Sequence, residues 1–402
     1  MFDATFFRGN RQRLVTLLAK NSFMILTAHG QMQRSDDSAF PFEQEANFWY
    51  LTGVDEAHWW LIVDVDAGEE YLVAPHRQEY QRIFDGSLSA AEASKQSGVA
   101  QVLDRAAGRK LLKDLLARKQ TAYTLKPRPR QQYGFYTNRA QHDLLQQLRG
   151  IAIEDLRLTL ARQRAVKQSV EIAAIRQAIA ITGESLAVVA SQLPELRYEY
   201  EAEALLSYEF RRRGADGHAF EPIVAGGKNA CTLHYLSNNQ PLLPHSLLVM
   251  DVGARANRYP ADITRTYAIG EPTERQRAVF AAVQRVHDGA IKLCRPDMST
   301  KEYTLEIERL MGTELVALGL LKRADDRAGV YRWMPHAISH GLGVEVHDSL
   351  GRPERFQAGM VLTVEPGIYI PGEGIGVRIE DDLLITADGP DVLSGSIPIR
   401  LP

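Results

Sequence analysis

The chain has 402 residues, of which 45% are hydrophobic and 24% charged, so it is long enough for two globular domains. Its 47 Lys and Arg against 50 Asp and Glu leave a net charge of −3, which excludes a global field that would recruit nucleic acid or a membrane surface. The expected partner is therefore a small molecule or another copy of the chain.

Two cysteines, Cys231 and Cys294, are too few for a disulfide framework and favour a reducing compartment. The first twenty residues carry arginines among their apolar positions and lack a small-residue cleavage site, so no secretory signal is predicted. No stretch of 18 uncharged apolar residues is present. We therefore expect a soluble, cytoplasmic protein that does not interact with a membrane.

The first region of the chain alternates strand and helix. Residues 8–20 have the period of an amphipathic helix. Buried strands are predicted at 23–28, 60–66 and 69–75, and further helical stretches at 112–117 and 139–149. This alternation is typical of an α/β domain. The aromatic run NFWYLTG at 47–53 could form a ligand surface, but packing of its rings in a core or a subunit interface is the favoured interpretation.

The pattern changes near residue 160. From Ser169 the chain reads at helical period, with Ser169 as the predicted N-cap and Glu171 in the first turn. Further helices are predicted at Glu199–Arg213, Glu274–Cys294 and Ser299–Leu318, with strands between and after them. The sequence therefore predicts an α+β protein of two domains, 1–158 and 159–402.

Four acidic residues of the second domain follow or open apolar strands. Asp251 ends the run LLVM and Asp262 opens ITRTYAI, while Glu365 follows VLTV and Glu380 follows VRI. An isolated carboxylate inside a strand pair costs several kcal/mol unless it is paired or bound to a cation. For each acid alone, a turn residue or a strand-end ion pair explains the position as well as a metal site does. Arg265 and Arg378 are the available bases. The set of four favours a cation.

Three histidines, His336, His340 and His347, lie within the glycine-containing stretch between those acids. Four carboxylates and one imidazole can hold two divalent ions. Such hard ligands with a single imidazole favour Mn²⁺, with Co²⁺ or Zn²⁺ as alternatives. The spacing of His336 and His340 is that of a zinc-protease helix, but the intervening glutamate is missing and Gly341 and Gly343 disfavour a helix.

Five motifs, taken in order, resemble the pita-bread metallopeptidases, and among them the Xaa-Pro peptidases. They are NACTLHY (229–235), MDVGA with ADITRT, MPHAISHGLGVEVHD, VLTVEPGIYI and GVRIEDDLLIT. The segment FPFEQEANFWYLTGV (40–54) resembles the amino-terminal domain of aminopeptidase P more loosely. The resemblance implies a carboxy-terminal pita-bread fold, in which helices flank a curved antiparallel sheet, an amino-terminal α/β domain like that of creatinase and aminopeptidase P, and a homodimer or homotetramer.

The resemblance also implies a role for each motif residue. Asp251 is similar to the two-oxygen ligand of one ion, Asp262 and Glu380 to the bridging ligands, and His340 and Glu365 to the ligands of the second ion. Glu365 is in addition expected to transfer a proton. His234 and His336 are expected near the substrate, His347 at the peptide and the developing oxyanion, and Arg378 beside the bridging acids.

Several activities remain open within this resemblance. The expected substrate is a proline-containing di- or oligopeptide. An Xaa-Pro dipeptidase (prolidase) is favoured over aminopeptidase P, because MPHAISH is closer to prolidase and the chain ends soon after its last strand. Methionine aminopeptidase is disfavoured by the large amino-terminal region and by Arg378. The ligand set disfavours a metal-free creatinase-like hydrolase and a non-catalytic peptide-binding module.

Overall fold

The structure, a computed structural model, describes residues 2–127, 135 and 137–401. It divides into two compact units, Met1–Gln163 and Arg164–Pro402. The predicted boundary after residue 158 and the division after Gln163 both lie within the helix Arg157–Ala165.

The first unit is built on a six-stranded mixed sheet. Its strands are β1 (Ser22–Thr27), β4 (Trp60–Asp64), β5 (Glu69–Val73), β6 (Gln101–Leu103), β7 (Thr121–Thr124) and β8 (Ala152–Asp155), with a separate small hairpin of β2 (Gln33–Ser35) and β3 (Ser38–Ala39). The strand order is β6-β5-β4-β1-β7-β8. The central strands β1 and β4 are buried along their whole length, as expected for strands covered on both faces.

Helices accompany this sheet. They are α1 (Ala4–Val15), α2 (Ala46–Thr52), α3 (Glu79–Asp85), α4 (Ala90–Ser97), α5 (Arg105–Arg118), α6 (Arg139–Gln147) and α7 (Arg157–Ala165). The predicted stretch 112–117 is the second half of a longer helix, α5, because Asp104 caps it by accepting a hydrogen bond from the Ala107 amide at 2.8 Å. The aromatic run forms α2, and its rings are buried, which confirms the packing interpretation.

The second unit combines long helices with antiparallel strands. Its helices are α8 (Ser169–Gln192), α9 (Glu199–Arg212), α10 (Glu274–Leu293), α11 (Thr300–Ala317) and α12 (Arg327–Trp333), with short 3₁₀ helices at Leu193–Glu195 and Gly227–Cys231. Gln168, not Ser169, is the N-cap of α8, because the Gln168 amide donates to the Glu171 carboxylate at 2.9 Å. The other predicted helices lie where expected, within a residue at each end.

The strands of this unit form several small sheets whose pairings are all antiparallel among the described residues. They are β9 (Gly217–His218), β10 (Ile223–Gly226), β11 (Ser246–Val252), β12 (Ala254–Ala256), β13 (Tyr259–Pro260), β14 (Ile263–Ile269), β15 (Val361–Val364), β16 (Gly367–Ile370), β17 (Ile375–Arg378), β18 (Asp381–Thr386) and β19 (Gly389–Val392). The core between strands and helices includes residues from α10, α11 and β15–β18.

One helical segment in the described part of the chain, Ser169–Glu195, has the length and mean hydropathy that could cross a membrane. Half of its most apolar window is buried inside the protein, and Ile175 and Ala178 have no exposed surface. It also carries Glu171, Arg176 and Glu184. A core helix of this kind passes the same test of length and composition, so the segment is weak evidence for a membrane span.

Gly253 lies between the two aspartate-bearing segments in a position that tolerates no side chain. A Cβ there would stand 1.8 Å from the Ala261 carbonyl oxygen. Gly253→Ala is therefore expected to cost about 3 kcal/mol through overpacking, which corresponds to a calorimetric midpoint lowered by about 5–10 °C. Gly372→Ala is the matched control, because nothing lies within 4 Å of its Cβ position. An equal loss in the control would show that the close approach is not the cause.

Candidate active site

The nine predicted site residues line one cavity of the second unit. Its volume is about 460 Å³. The predicted residues among its lining are His234, Asp251, Asp262, His336, His340, His347, Glu365, Arg378 and Glu380. These side chains come from segments more than a hundred residues apart in sequence, from His234 to Glu380, so the fold alone brings them together.

Two strand pairs carry the acids to this cavity. β11 pairs antiparallel with β14, and Asp251 lies opposite Thr264, two residues after Asp262. β15 pairs with β18, so that Val364, which precedes Glu365, lies opposite Asp381, which follows Glu380. The Glu380 amide donates to the Thr264 carbonyl at 3.1 Å and joins the two pairs. The predicted convergence of two acid-bearing strand pairs is thus present in the structure.

The histidine stretch is held against the same strands by backbone hydrogen bonds. The Thr363 amide donates to the His340 carbonyl, and the Glu365 amide donates to the Ile338 carbonyl, each at 2.9 Å. The Nε2 atom of His340 lies 3.4 Å from Asp262 Oδ2 and 3.5 Å from Glu365 Oε1. His340 is therefore the histidine placed between the acids of both strand pairs.

Three overlapping groups of side chains offer ligand atoms within 4.8 Å of one another. They are Asp262, His340 and His347; His340, Glu365 and Glu380; and Asp251, Asp262 and Glu380. Together they include every predicted metal ligand. They also include His347, which the sequence analysis assigns to the substrate. The His347 ring centroid is 4.3 Å from that of His340.

The electrostatics of this group disfavour the charged forms of its acids when no cation is bound. Burial and neighbouring carboxylates, against the opposing effect of His340, raise the pKa of Asp262 to about 6 and that of Glu365 to about 7. Burial and then Asp262, Glu365 and Asp251 raise the pKa of Glu380 well above its usual range. The donor set of carboxylate oxygens and imidazole nitrogen suits hard divalent ions, so the residues present fit two such cations.

Without bound metal, His340 is the charged imidazole of the histidine stretch, and His336 and His347 are neutral. Although burial opposes it, the carboxylates of Asp262 and Glu365 raise the pKa of His340 to about 9. Burial, aided by nearby cationic groups, lowers the pKa of His336 and of His347 to about 4. The latter two rings are neutral near pH 7 and can each donate one hydrogen bond. His336 Nε2 is 2.9 Å from the Tyr369 hydroxyl.

Arg378 is the single arginine that lines the described cavity. It is 4% exposed and donates to Asp251 Oδ2 at 2.6 Å, to the Thr264 hydroxyl at 3.1 Å and to the Tyr369 hydroxyl at 3.0 Å. The ion-pair explanation of the acids therefore holds for Asp251 with Arg378. Arg265 pairs instead with Asp381 at 2.7 Å, and it contacts Glu380 through the backbone, donating to the Glu380 carbonyl at 2.7 Å.

The site is also supported by residues that were not predicted from the sequence. The Thr264 hydroxyl donates to Glu380 at 2.7 Å, and Asp382 accepts the Asp262 amide at 3.1 Å. Glu199, fully buried on α9, accepts hydrogen bonds from Gly226, Asn229, Tyr235 and Gln240 and so fixes the loop that carries His234. The signal for Asp382 is the run of three acids in IEDDLLIT, in which strand alternation turns Asp382 to the same face as Glu380 and Asp381 to the other.

Comparison with known families accounts for both units. Residues 173–387 match the model of metallopeptidase family M24. The chain belongs to metallopeptidase family M24. Residues 7–123 match the aminopeptidase P N-terminal domain. These matches confirm the expected fold, a pita-bread domain preceded by an aminopeptidase-P-like domain, and the resemblance on which it was predicted.

Individual relatives of this M24 chain are similar along their whole length. Xaa-Pro aminopeptidases of Haemophilus influenzae and Escherichia coli K12 are each 31% identical to it, over 98% and 97% of this chain and 94% of theirs. The structure of E. coli aminopeptidase P with the inhibitor Pro-Leu has a TM-score of 0.88 at 30% identity, covering 99% of this chain and 96% of that one. Proline aminopeptidase P II of Yersinia pestis has a TM-score of 0.86 at 32% identity, covering 99% and 97%.

These relatives overturn one expectation. The preference for an Xaa-Pro dipeptidase is wrong, because the full-length relatives and the amino-terminal domain are those of aminopeptidase P. The proline before His336 and the early end of the chain do not distinguish the two enzymes.

Proposed function

We propose that the protein is an Xaa-Pro aminopeptidase that releases the amino-terminal residue from peptides whose second residue is proline. The observation that carries the proposal is the meeting of four carboxylates and His340 in one cavity of a chain similar to aminopeptidase P in both units. Peptides longer than a dipeptide are the proposed substrates, in keeping with the names of the relatives.

The proposed metal ligands are Asp251, Asp262, His340, Glu365 and Glu380. Two divalent cations held there would supply Lewis acidity, which polarises a peptide carbonyl and acidifies water. Mn²⁺ is the proposed occupant, because four carboxylates and a single imidazole form a hard donor set. A zinc-substituted form of E. coli aminopeptidase P has been solved, so Zn²⁺ and Co²⁺ belong in any test of metal identity.

The other side chains of the cavity are proposed to move a proton and to orient the peptide. Glu365 is the proposed proton carrier, because its carboxylate lines the cavity and lies 3.5 Å from His340 Nε2, beside the proposed ligands. The neutral His347 ring can donate a hydrogen bond to the carbonyl oxygen as negative charge develops on it. Arg378 keeps Asp251 in place through its 2.6 Å contact.

Proline recognition is proposed to depend on the apolar part of the same cavity. Apolar side chains line it beside the acids, namely Phe220, Ile223, Leu233, Leu236 and Val346. A prolyl nitrogen carries no hydrogen, so a peptidase that needs an N–H donor there cannot hold it. Apolar contact with the pyrrolidine ring can replace that hydrogen bond.

The direct test is hydrolysis of Ala-Pro-Ala, Ala-Pro, Ala-Ala-Ala and Met-Ala-Ser by protein freed of metal and reloaded with Mn²⁺, Co²⁺ or Zn²⁺. Release of alanine from Ala-Pro-Ala, fastest with Mn²⁺ and much faster than from Ala-Ala-Ala, is the expected result. A Glu380→Gln protein prepared in parallel controls for contaminating peptidases. Cleavage of Ala-Pro alone, of Met-Ala-Ser in preference, or of none of the four would contradict the proposal.

A further inference from the structure

A buried cluster of charged residues lies directly behind the histidine stretch. Its centre is Asp348, which follows His347 and is 3% exposed. Arg164 Nη2 lies 2.9 Å from Asp348 Oδ1, and Lys167 Nζ lies 3.8 Å from Asp348 Oδ2. The side chains of Arg164 and Lys167 are 3% and 0% exposed. One buried carboxylate thus has a cation at each oxygen.

Residues 341–348, here called the His347 loop, contain no helix or strand. The loop is closed at its base, where the Asp348 amide donates to the Gly341 carbonyl at 2.8 Å. Glu345, Val346 and His347 of this loop line the active-site cavity. Because its backbone makes few regular hydrogen bonds, the order of the loop depends on side-chain anchors.

Arg164 anchors the loop at two points. The same Nη2 atom that contacts Asp348 lies 2.8 Å from Glu345 Oε2, on the cavity side of the loop. Gly343 packs beneath them, since a Cβ there would stand 1.8 Å from Asp348 Oδ2 and 3.1 Å from Lys167 Cε. The Asp348 carboxylate therefore packs directly against the loop backbone at Gly343 and cannot move toward it without displacing it.

The cations are themselves fixed to the sheet that carries a proposed ligand. The Lys167 amide donates to the Gly359 carbonyl at 2.8 Å, and Val166 forms a bridge with Met360. Met360 directly precedes β15, which ends one residue before Glu365. Arg164 and Lys167 therefore connect the His347 loop to the strand that positions Glu365.

We infer that Arg164, assisted by Lys167, is a positioning residue for His347: its contacts with Asp348 and Glu345 hold the loop so that the His347 ring faces His340. The inference rests on the proposed function, in which His347 contacts the peptide. A buried ion pair is weak evidence for net stability, and its better-attested use is to fix one arrangement among alternatives. Here the fixed arrangement is that of a side chain that must stand within hydrogen-bonding distance of the substrate.

The test compares Arg164→Met in the wild type and in a His347→Ala background, with Ala-Pro-Ala as substrate and Mn²⁺-loaded protein. In the wild-type background, Arg164→Met is expected to lower kcat about 10- to 100-fold. In the His347→Ala background, the same substitution should lower kcat less than about twofold. Arg164→Lys, which keeps the charge but cannot reach both acids, should fall between. The content of bound Mn²⁺ should equal that of the wild type in every variant.

Arg11→Met is the matched control. Arg11 is a fully buried arginine of the first unit that pairs with Glu70 at 2.7 Å and donates to the Leu51 and Ser97 carbonyls. Its replacement should lower the unfolding midpoint, while any change in kcat should be the same with and without His347. A loss in Arg164→Met that is likewise equal in both backgrounds would overturn the inference, because it would show a general effect on the fold.

Amide hydrogen exchange gives a readout that needs no activity. Exchange of residues 342–348 should become faster in Arg164→Met and Arg164→Lys and stay unchanged in Arg11→Met. Arg164→Lys keeps this test available if the methionine variant does not fold. Unchanged exchange in a folded Arg164 variant would overturn the inference. Absence of Ala-Pro-Ala hydrolysis by the wild type would instead contradict the proposed function, and the exchange result would still report on the loop.

Discussion

Glu380→Gln is expected to lower kcat on Ala-Pro-Ala by about a thousandfold or more, the equivalent of several kcal/mol of lost charge stabilisation. Glu380 is 2% exposed and belongs to two of the three groups of ligand atoms. A glutamine keeps the shape and can still accept the hydrogen bond from Thr264, but it lacks the negative charge that a shared cation requires. Bound Mn²⁺, measured by elemental analysis, should fall below two ions per chain.

In the metal-free chain, Glu380→Gln is not expected to lower thermal stability. Burial, and then repulsion from the neighbouring carboxylates, raises the pKa of Glu380 there, so its charged form is disfavoured. Removing one charge should leave the unfolding midpoint of chelator-treated protein equal to or above that of chelator-treated wild type at pH 7.5. Added Mn²⁺ should then raise the midpoint of the wild type more than that of the variant, since only the wild type binds both ions tightly.

The pH dependence of the metal-free wild type follows from the same shifts. Asp262 and Glu365 have a pKa of about 6 and about 7 when folded, above the ordinary values of 3.8 and 4.5. The folded state therefore binds protons more tightly than the unfolded state. The free energy of unfolding of the metal-free protein should fall as pH rises from about 4 to about 7. Metal binding should remove most of this dependence, because a cation takes the place of the protons.

Glu308→Gln controls for the loss of a buried glutamate. Glu308 is 6% exposed on α11 and pairs with Arg327 at 2.5 Å, outside the cavity lining. It should lose some stability while retaining activity and both ions. Wild-type turnover in Glu380→Gln, or a thousandfold loss in Glu308→Gln, would contradict the metal assignment.

The candidate ligands could be found from sequence because each interrupts a local pattern. An acid at the end of an apolar strand, such as Asp251 or Glu365, is costly without a partner, and that cost can be judged from neighbouring residues alone. The helices were predictable for the same reason, since their period and caps are local. Helix ends were less predictable: the N-cap of α8 lies one residue earlier than expected, and the helix predicted at 8–20 spans Ala4–Val15, with Asp3 as its N-cap.

The supporting contacts could not be found in this way. Arg265 reaches Asp381 across 116 residues of sequence, and Arg164 reaches Glu345 across 181. No local pattern specifies which base will meet which acid over such distances. The choice between dipeptidase and aminopeptidase failed for a related reason, because the motifs around the ligands are common to both activities and carry no information about the far end of the substrate.

His347→Ala is expected to lower kcat by about 10²- to 10³-fold, the usual cost of removing one hydrogen-bond donor to a developing oxyanion. Two roles are open to this side chain: donor to the substrate, or metal ligand together with Asp262 and His340. Metal analysis separates them. Two Mn²⁺ ions per chain in the variant support the donor role, whereas a reduced count assigns His347 to the metal and contradicts the role proposed for it.

The pH profile gives an independent check on the donor role. Burial, with the neighbouring His340 and His234, lowers the pKa of His347 to about 4, so the ring stays neutral from pH 6 to 8. Bound cations would disfavour protonation further. The ratio of wild-type to His347→Ala kcat should then be constant across that interval, since the protonation state of the donor does not change. A ratio that rises as pH falls from 8 to 6 would show that the protonated ring is the active form, and the neutral donor would have to be abandoned.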